Sequence, residues 1–295
     1  MTALTATRRA AKAESPGSSH FSHTLTSDDG LKLKVNVWAS TKPVATLLYI
    51  HGIQSHSEWL FETGPFLASK GINVVAMDRR GSGGSEGERG HSDNADLILR
   101  DYRLAWQYAA QLYEHLPFIV LGQSFGGSIL AALACRYPMR ADAIIFSAPA
   151  LGQQRSRHDL YKLNQLRAIK GQERMPLGIR DAEYSSDDKY LRFIANDGDV
   201  NRNITSSMAS CLVELEDIYF DNRLCLQRIK CPVHLIKPLH DSIIDMRTSR
   251  EVLARHIDII EHEIDTFSHY MEFSSKRYDL WKSIRAICAN AEVSQ

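Results

Sequence analysis

Apolar residues recur along the chain in two rhythms. Short runs rich in β-branched side chains, at residues 31–37, 45–50, 72–77, 118–122, 143–146, 233–237 and 259–264, read as apolar on both faces. That is the pattern of strands buried between two layers in a mostly parallel sheet. Between them lie stretches with helical spacing. In residues 93–115, Ile98, Tyr102, Ala105, Ala109 and Leu112 recur at steps of three and four and make one apolar stripe. Asp93 and Asp96 stand at its start and His115 at its end, as the helix dipole favours. Alternating strands and helices predict an α/β fold, a mostly parallel central sheet flanked by helices.

Two stretches depart from this rhythm. Residues 1–20 are rich in Ala, Ser and Thr and poor in large apolar side chains, so they are expected to form a disordered leader. Residues 151–200 carry 17 charged residues in 50, a higher share than the 24% of the whole chain, and show no clear strand. An insertion over the core is expected at 151–205, with the core itself supplied by 21–150 and 206–295. Leu160, Leu163, Leu166 and Ile169 predict an amphipathic helix within the insertion. Its first half is basic, with Arg155, Arg157, Lys162, Arg167, Lys170 and Arg174 against Asp159 and Glu173, and its second half is acidic.

Composition narrows the partners. Lys plus Arg and Asp plus Glu both number 35 among 295 residues. With no net charge there is no global basic field for a nucleic acid or an anionic membrane. No apolar run approaches the ~20 residues that span a bilayer, so no integral membrane segment is expected. No apolar stretch follows Arg8 and Arg9 as a secretory signal would require, and a cytoplasmic location is expected. Five widely spaced cysteines without a C-x-x-C pair read as reduced thiols.

The strongest chemical signal is FIVLGQSFGGSILAALACRYP, in which an apolar strand runs into Gly122-Gln123-Ser124-Phe125-Gly126 and then into a helix ended by Pro138. This is a nucleophile elbow in its required strand-turn-helix context. A serine thrust out of so sharp a turn needs neighbours almost free of side chain, and Gly122, Gly126 and Gly127 meet that need. A serine hydroxyl also needs a base, oriented by an acid. His269, in the loop TFSHYMEF just past the last predicted strand, lies at the edge where active residues of parallel sheets gather. His256 at a helix end and His262 inside a strand have structural explanations instead. The loop PLHDSIID offers Asp241 and Asp245. Asp241 comes first after the strand and is preferred, while Asp245 stands where a helix N-cap explains it.

Tetrahedral intermediates need oxyanion donors. One is the backbone N–H of Phe125, which follows the nucleophile. The other is expected from Ile53 in LLYIHGIQSHSEWL, with His51 read as a buried hydrogen-bonding loop residue. The run DRRGSGGSEGERG contains Gly81-x-Gly83, but Glu86 occupies the sixth place of a dinucleotide fingerprint, and it reads as a glycine-rich loop beside the active edge. Twelve histidines include neither H-E-x-x-H nor a Cys/His cluster at ligand spacing. No metal and no cofactor are implied.

Taken in order, YIHGIQSHS, MDRRGSGGSEGERG, GQSFGGSIL, PLHDSIID and FSHYMEF resemble the α/β-hydrolases, and within them the monoacylglycerol lipase and lysophospholipase-like serine hydrolases. The resemblance implies Ser124 as nucleophile, Asp241 as acid and His269 as base, with Ile53 and Phe125 as oxyanion donors. It makes 151–205 a cap, or lid, over an acyl pocket. The implied activity is cleavage of a carboxylic ester, monoacylglycerol-like or lysophospholipid-like, through an acyl-enzyme on a small-molecule acyl substrate. The charge of the cap exceeds what a neutral monoacylglycerol calls for, which keeps an anionic or polar acyl substrate, or an acyl carrier, among the alternatives. The same triad would also serve a thioesterase, an acyltransferase or a cyclising enzyme, and the fold alone would serve a non-catalytic ligand-binding homologue.

Overall fold

A computed structural model describes residues 17–138, 140–221 and 225–293. Its strands are β1 (Ser18–Thr26), β2 (Lys32–Ser40), β3 (Ala45–Ile50), β4 (Ile72–Met77), β5 (Phe118–Gln123), β6 (Ala143–Ser147), β7 (Arg174–Pro176), β8 (Asn203–Thr205), β9 (Val233–Pro238) and β10 (Ile259–Ile264). Eight of them form one sheet in the order β1-β2-β4-β3-β5-β6-β9-β10, parallel from β4 to β10, with β1 and β2 antiparallel at one side. The helices are α1 (Thr63–Ser69), α2 (Ala95–Leu112), α3 (Phe125–Arg136), α4 (Gln153–Arg157), α5 (Leu160–Ala168), α6 (Asp181–Tyr184), α7 (Asp188–Ala195), α8 (Ser206–Asp221), α9 (Met246–Ala254) and α10 (Arg277–Val293).

The central strands are apolar on both faces because both faces are covered. In β3, Leu48 and Ile50 join the layer of α2, α3 and α8, while Leu47 and Tyr49 join the layer of α1 and α10. In β5, Val120 and Ile119 divide in the same way, as the two-residue period of a strand requires. The stripe on α2 buries Ile98, Tyr102, Ala105 and Ala109. The Asn94 side chain caps this helix by accepting from Leu97 N–H, so it begins one residue later, inside the predicted span.

Four expectations change. β1 begins at Ser18, so the end of the stretch expected to be a leader is sheet, while residues 1–16 lie outside those described. β1 escapes a hydropathy reading because Leu25 is its one buried side chain, as an exposed edge strand allows. β7 breaks the strand-free reading of 151–200, being a three-residue strand paired with β8. On the predicted amphipathic helix Leu163 and Leu166 are buried, but Leu160 is exposed and Ile169 falls at the C-cap. Finally, Cys135 and Cys225 form a disulfide, their Cα atoms 4.7 Å apart, so two of the five cysteines are not free thiols. The bridge joins α3 to a turn 90 residues later, a proximity that spacing in the sequence does not encode.

Residues 151–205 are tied to the core by an aromatic cluster in which Trp59, Tyr270 and Phe273 pack with Tyr184, Tyr190 and Phe193. The Phe273 ring stacks on Trp59 at 5.3 Å and on Tyr190 at 4.5 Å between centroids. Such pairs add about 1 kcal/mol each beyond burial. No helix among the described residues is long and apolar enough to cross a membrane.

Candidate active site

Ser124 sits between β5 and α3 with φ 52° and ψ −120°. A non-glycine residue in this region is strained, and the surroundings must hold it there. Ser124 N–H donates to the Ser147 carbonyl at 3.0 Å, and its own carbonyl accepts from Gly127 N–H at 2.8 Å and Ala150 N–H at 2.9 Å. The glycines are required by close approach: a Cβ on Gly126 would lie 2.1 Å from the Ile50 carbonyl oxygen, and one on Gly122 would lie 2.6 Å from that of Gly126. Gln123 turns its amide oxygen beneath Gly52, where a Cβ would meet it at 2.6 Å.

His269 and Asp241 meet across the loops that follow β10 and β9. His269 Nδ1 lies 2.7 Å from Asp241 Oδ2, with both side chains buried. Asp241 Oδ1 accepts from the N–H groups of Ile243 and Ile244, each at 2.9 Å. Burial by itself would raise the Asp241 carboxyl. The neighbouring imidazole and the two backbone donors together outweigh that and hold it below the ordinary value. Asp245, the alternative acid, instead caps α9 by accepting from Arg247 and Thr248 N–H. His269 N–H donates to the Glu183 carbonyl at 3.1 Å, and the Tyr184 ring meets the imidazole edge-on at 5.9 Å, so α6 backs His269. His269 Nε2 is buried and makes no hydrogen bond among the described residues, including none to Ser124. Such bonds often tighten only with substrate bound.

A cavity of about 560 Å³ is lined by Ser124, Ile53 and Phe125. It is also lined by Ser242, Ile243 and Ile244, directly after Asp241, and by Glu183, whose carbonyl accepts from His269 N–H. The residues of the expected nucleophile and of both expected oxyanion donors thus line one space, and the residue next to Asp241 lines it too. Phe125 is the first residue of α3, where helix geometry leaves the N–H without an intrahelical partner.

The sequence reading overlooked the residue that holds the loop of Gly52 and Ile53, where an oxyanion donor is expected. Arg79, fully buried two residues after β4, donates from its guanidinium to the carbonyls of Gly52 at 3.1 Å and Ile53 at 2.9 Å, and to Ser82 Oγ at 2.9 Å. Its backbone N–H donates to His51 Nε2 at 3.0 Å, which leaves the proton on Nδ1 to donate to the Gly52 carbonyl at 2.8 Å. Burial and the Arg79 charge hold the His51 imidazole well below its ordinary value. His51 is thus a buried hydrogen-bonding loop residue, as expected, and is held neutral. The signal for Arg79 was present as an arginine two residues after an apolar strand, but a charge there is ordinarily solvated.

Two other buried polar groups adjoin the site. His56 Nε2 lies 2.8 Å from Asp197 Oδ2, which also accepts from Trp59 Nε1 at 2.8 Å. Metal-ligand atoms of His56, Asp197 and Asp199 fall within 4.8 Å of one another. With Asp197 engaged by two donors and Asp199 paired with Arg89, this trio is best described as a tether between 151–205 and the core. Tyr49 O–H donates to Glu272 at 2.5 Å, and burial pushes the Glu272 carboxyl up.

The family model described as serine aminopeptidase, S33 (Hydrolase_4) matches residues 41–272. The chain belongs to this family. Among curated proteins it is 32% identical over 135 residues to the monoacylglycerol lipase of Mycolicibacterium smegmatis, covering 45% of this chain and 48% of the relative. It is 29% identical over 126 residues to human monoglyceride lipase, covering 42% of each. The alignments thus span about half the length of these relatives. Among solved structures, an open-form lipase superposes with a TM-score of 0.78 at 18% identity, over 93% of this chain and 99% of that one. A soluble variant of the Saccharomyces cerevisiae monoglyceride lipase, in complex with a substrate analogue, superposes with a TM-score of 0.77 at 15% identity, over 91% and 94%. These likenesses place the fold among the α/β-hydrolases, with a mostly parallel sheet flanked by helices.

Proposed function

We propose that the protein is a serine hydrolase that cleaves a carboxylic ester, of monoacylglycerol or lysophospholipid type, through an acyl-enzyme. The observation that carries this reading is the buried Asp241–His269 pair behind a cavity floored by a strained Ser124. In this mechanism Ser124 Oγ attacks the acyl carbon as His269 Nε2 takes its proton, while Asp241 holds Nδ1–H and stabilises the imidazolium. The N–H groups of Ile53 and Phe125 receive the oxyanion, each such donor being worth ~3–4 kcal/mol at the transition state. His269 returns the proton to the leaving alcohol, and a water activated by His269 releases the acid.

In this reading residues 151–205 act as the cap. Their apolar cavity wall, including Leu166, Met175, Leu177 and Ile204, suits an acyl chain. The expected cytoplasmic location belongs to the same proposal, and the Cys135–Cys225 bridge weighs against it, because disulfides are rare in that compartment. A fluorophosphonate probe tests the nucleophile: the wild type is labelled and Ser124→Ala is not. Equal labelling of both would remove Ser124 from the mechanism. A thioester preferred by several orders of magnitude over the matched oxyester would shift the reading to a thioesterase.

A further inference from the structure

The basic half of the 151–205 segment separates into two sets once its partners are known. Arg155 and Arg167 both reach Asp217 on α8, at 2.6 and 2.7 Å. Lys170 reaches Glu214 at 2.6 Å and Arg174 reaches Glu88 at 2.8 Å. Arg157 and Lys162 are in no carboxylate pair among the described residues, and these two, with His158, line the cavity over Ser124. Four of the six cations thus fasten the segment to the rest of the protein. The two left without a counter-ion stand where substrate would enter.

Arg157 is also held in place. Its guanidinium donates to Gln153 Oε1 at 3.2 Å and to the Ile243 carbonyl, beside the loop of Asp241. Two acidic side chains share the cavity wall, and both are engaged elsewhere. Glu183 accepts from Arg180 N–H at 2.8 Å and lies 3.5 Å from the Arg180 guanidinium. Glu216 is buried, accepts from the N–H groups of Gln154 and Arg155, and is pushed by burial up to about 7. The apolar wall and this basic rim make the cavity amphipathic.

We propose that the cavity takes an acyl ester whose alcohol part carries a phosphate group, with Arg157 and Lys162 holding the phosphate at the rim and the acyl chain against the apolar wall. This rests on the ester-hydrolase reading above and names its substrate class. A phosphate monoester carries a charge of about −1.5 to −2 at neutral pH, which two uncompensated cations match, whereas one would suffice for a carboxylate. Arginine adds a planar fork suited to phosphate oxygens. In the reaction the acyl C–O bond breaks, and water supplies a hydroxyl to the acyl carbon and a proton to the alcohol oxygen. The phosphate ester stays intact.

The test compares 1-hexanoylglycerol with 1-hexanoylglycerol 3-phosphate, both monomeric in solution, on the full chain. The wild type should favour the phosphorylated ester in kcat/KM by about tenfold or more, as charge-assisted contacts of this kind provide. In the double variant Arg157→Gln, Lys162→Gln that ratio should fall about tenfold, through KM. In the control Lys170→Gln, Arg174→Gln, which removes paired cations, the ratio should hold. Equal use of the two esters by the wild type would overturn the substrate class and leave the hydrolase reading intact. An equal fall in the control would assign the preference to the general field of the protein and overturn the rim site. A preference seen only on anionic vesicles would overturn it in favour of surface adsorption. Turnover of neither ester, with no labelling of Ser124, would end both readings together.

Discussion

Replacing Asp241 by Asn changes one atom type and leaves size almost untouched, so its effect can be worked from the hydrogen bonds alone. The Ile243 and Ile244 N–H groups, both 2.9 Å from Oδ1, demand an acceptor there. An asparagine must therefore keep its oxygen on that side, and its NH₂ then faces His269 Nδ1, where a carboxylate oxygen now lies at 2.7 Å. Two donors cannot face each other. The imidazole must move its proton from Nδ1 to Nε2, the nitrogen that has to receive the Ser124 proton. Flipping the amide instead would set NH₂ against two backbone N–H groups. A wrong tautomer in a Ser-His-Asp triad costs about ten-thousandfold in kcat, about 5.4 kcal/mol of barrier. The assay is kcat on a p-nitrophenyl acyl ester, with circular dichroism to confirm the fold. Asp245→Asn is the control: its oxygens cap α9 and accept from Thr248 Oγ1 at 2.7 Å. Asn caps a helix as well as Asp does, so less than a twofold loss is expected. A folded Asp241→Asn enzyme with more than a tenth of wild-type kcat, or a larger loss at Asp245, would refute the assignment.

Two further expectations concern buried charges. Arg79→Met should lower kcat by about thirtyfold, a partial loss of one oxyanion donor, because the Gly52 and Ile53 carbonyls lose the guanidinium that fixes the loop; unchanged kcat in a folded variant would show that the loop is held by other contacts. The His56–Asp197 tether should make stability depend on pH. Burial lowers the affinity of His56 for its proton, but the hydrogen bond and charge of Asp197 outweigh this and raise it above the ordinary value, with Asp78 and Glu58 adding in the same sense. A raised histidine contributes its full stabilisation below about pH 6.5 and loses it as pH rises through the folded value. Urea unfolding from pH 6 to pH 9 should show stability declining. His56→Gln should cost about 3 kcal/mol at pH 6, the penalty of breaking a buried pair, with the gap to wild type narrowing as pH rises; a constant gap would count against a charged His56.

Much of the fold and part of the candidate site were legible in the sequence. Seven of the eight sheet strands showed as short runs rich in β-branched side chains: the central ones, such as β3 and β5, are apolar at nearly every position because both faces are covered, and the edge strand β10 was marked by Ile259, Ile260 and Ile264. β1, also an edge strand with one buried residue, was not legible, since Phe21 and Leu25 are its only large apolar side chains, against three isoleucines in β10. Ser124 was legible because its conformation is set by its own neighbours, Gly122 and Gly126 among them. Asp241 and Asp245 lie four residues apart in the same loop, and their order after the strand ranked them, but the position of His269 28 residues further on separates their roles in space.

The sequence by itself determined what depends on near neighbours: the order of strands and helices, the elbow at Ser124, and the excess of charge in 151–205. The tertiary structure alone decided what depends on residues far apart in the chain. It placed the Arg79 guanidinium on the carbonyls of a loop 26 and 27 residues earlier, and it joined Cys135 to Cys225. It also matched Arg174 with Glu88, 86 residues away, and left Arg157 and Lys162 unmatched at the cavity. The physical reason is range: hydrogen bonds and ion pairs act over a few ångströms. Which charges neutralise one another is therefore undetermined until the chain has folded, whereas backbone conformation and burial pattern are written locally.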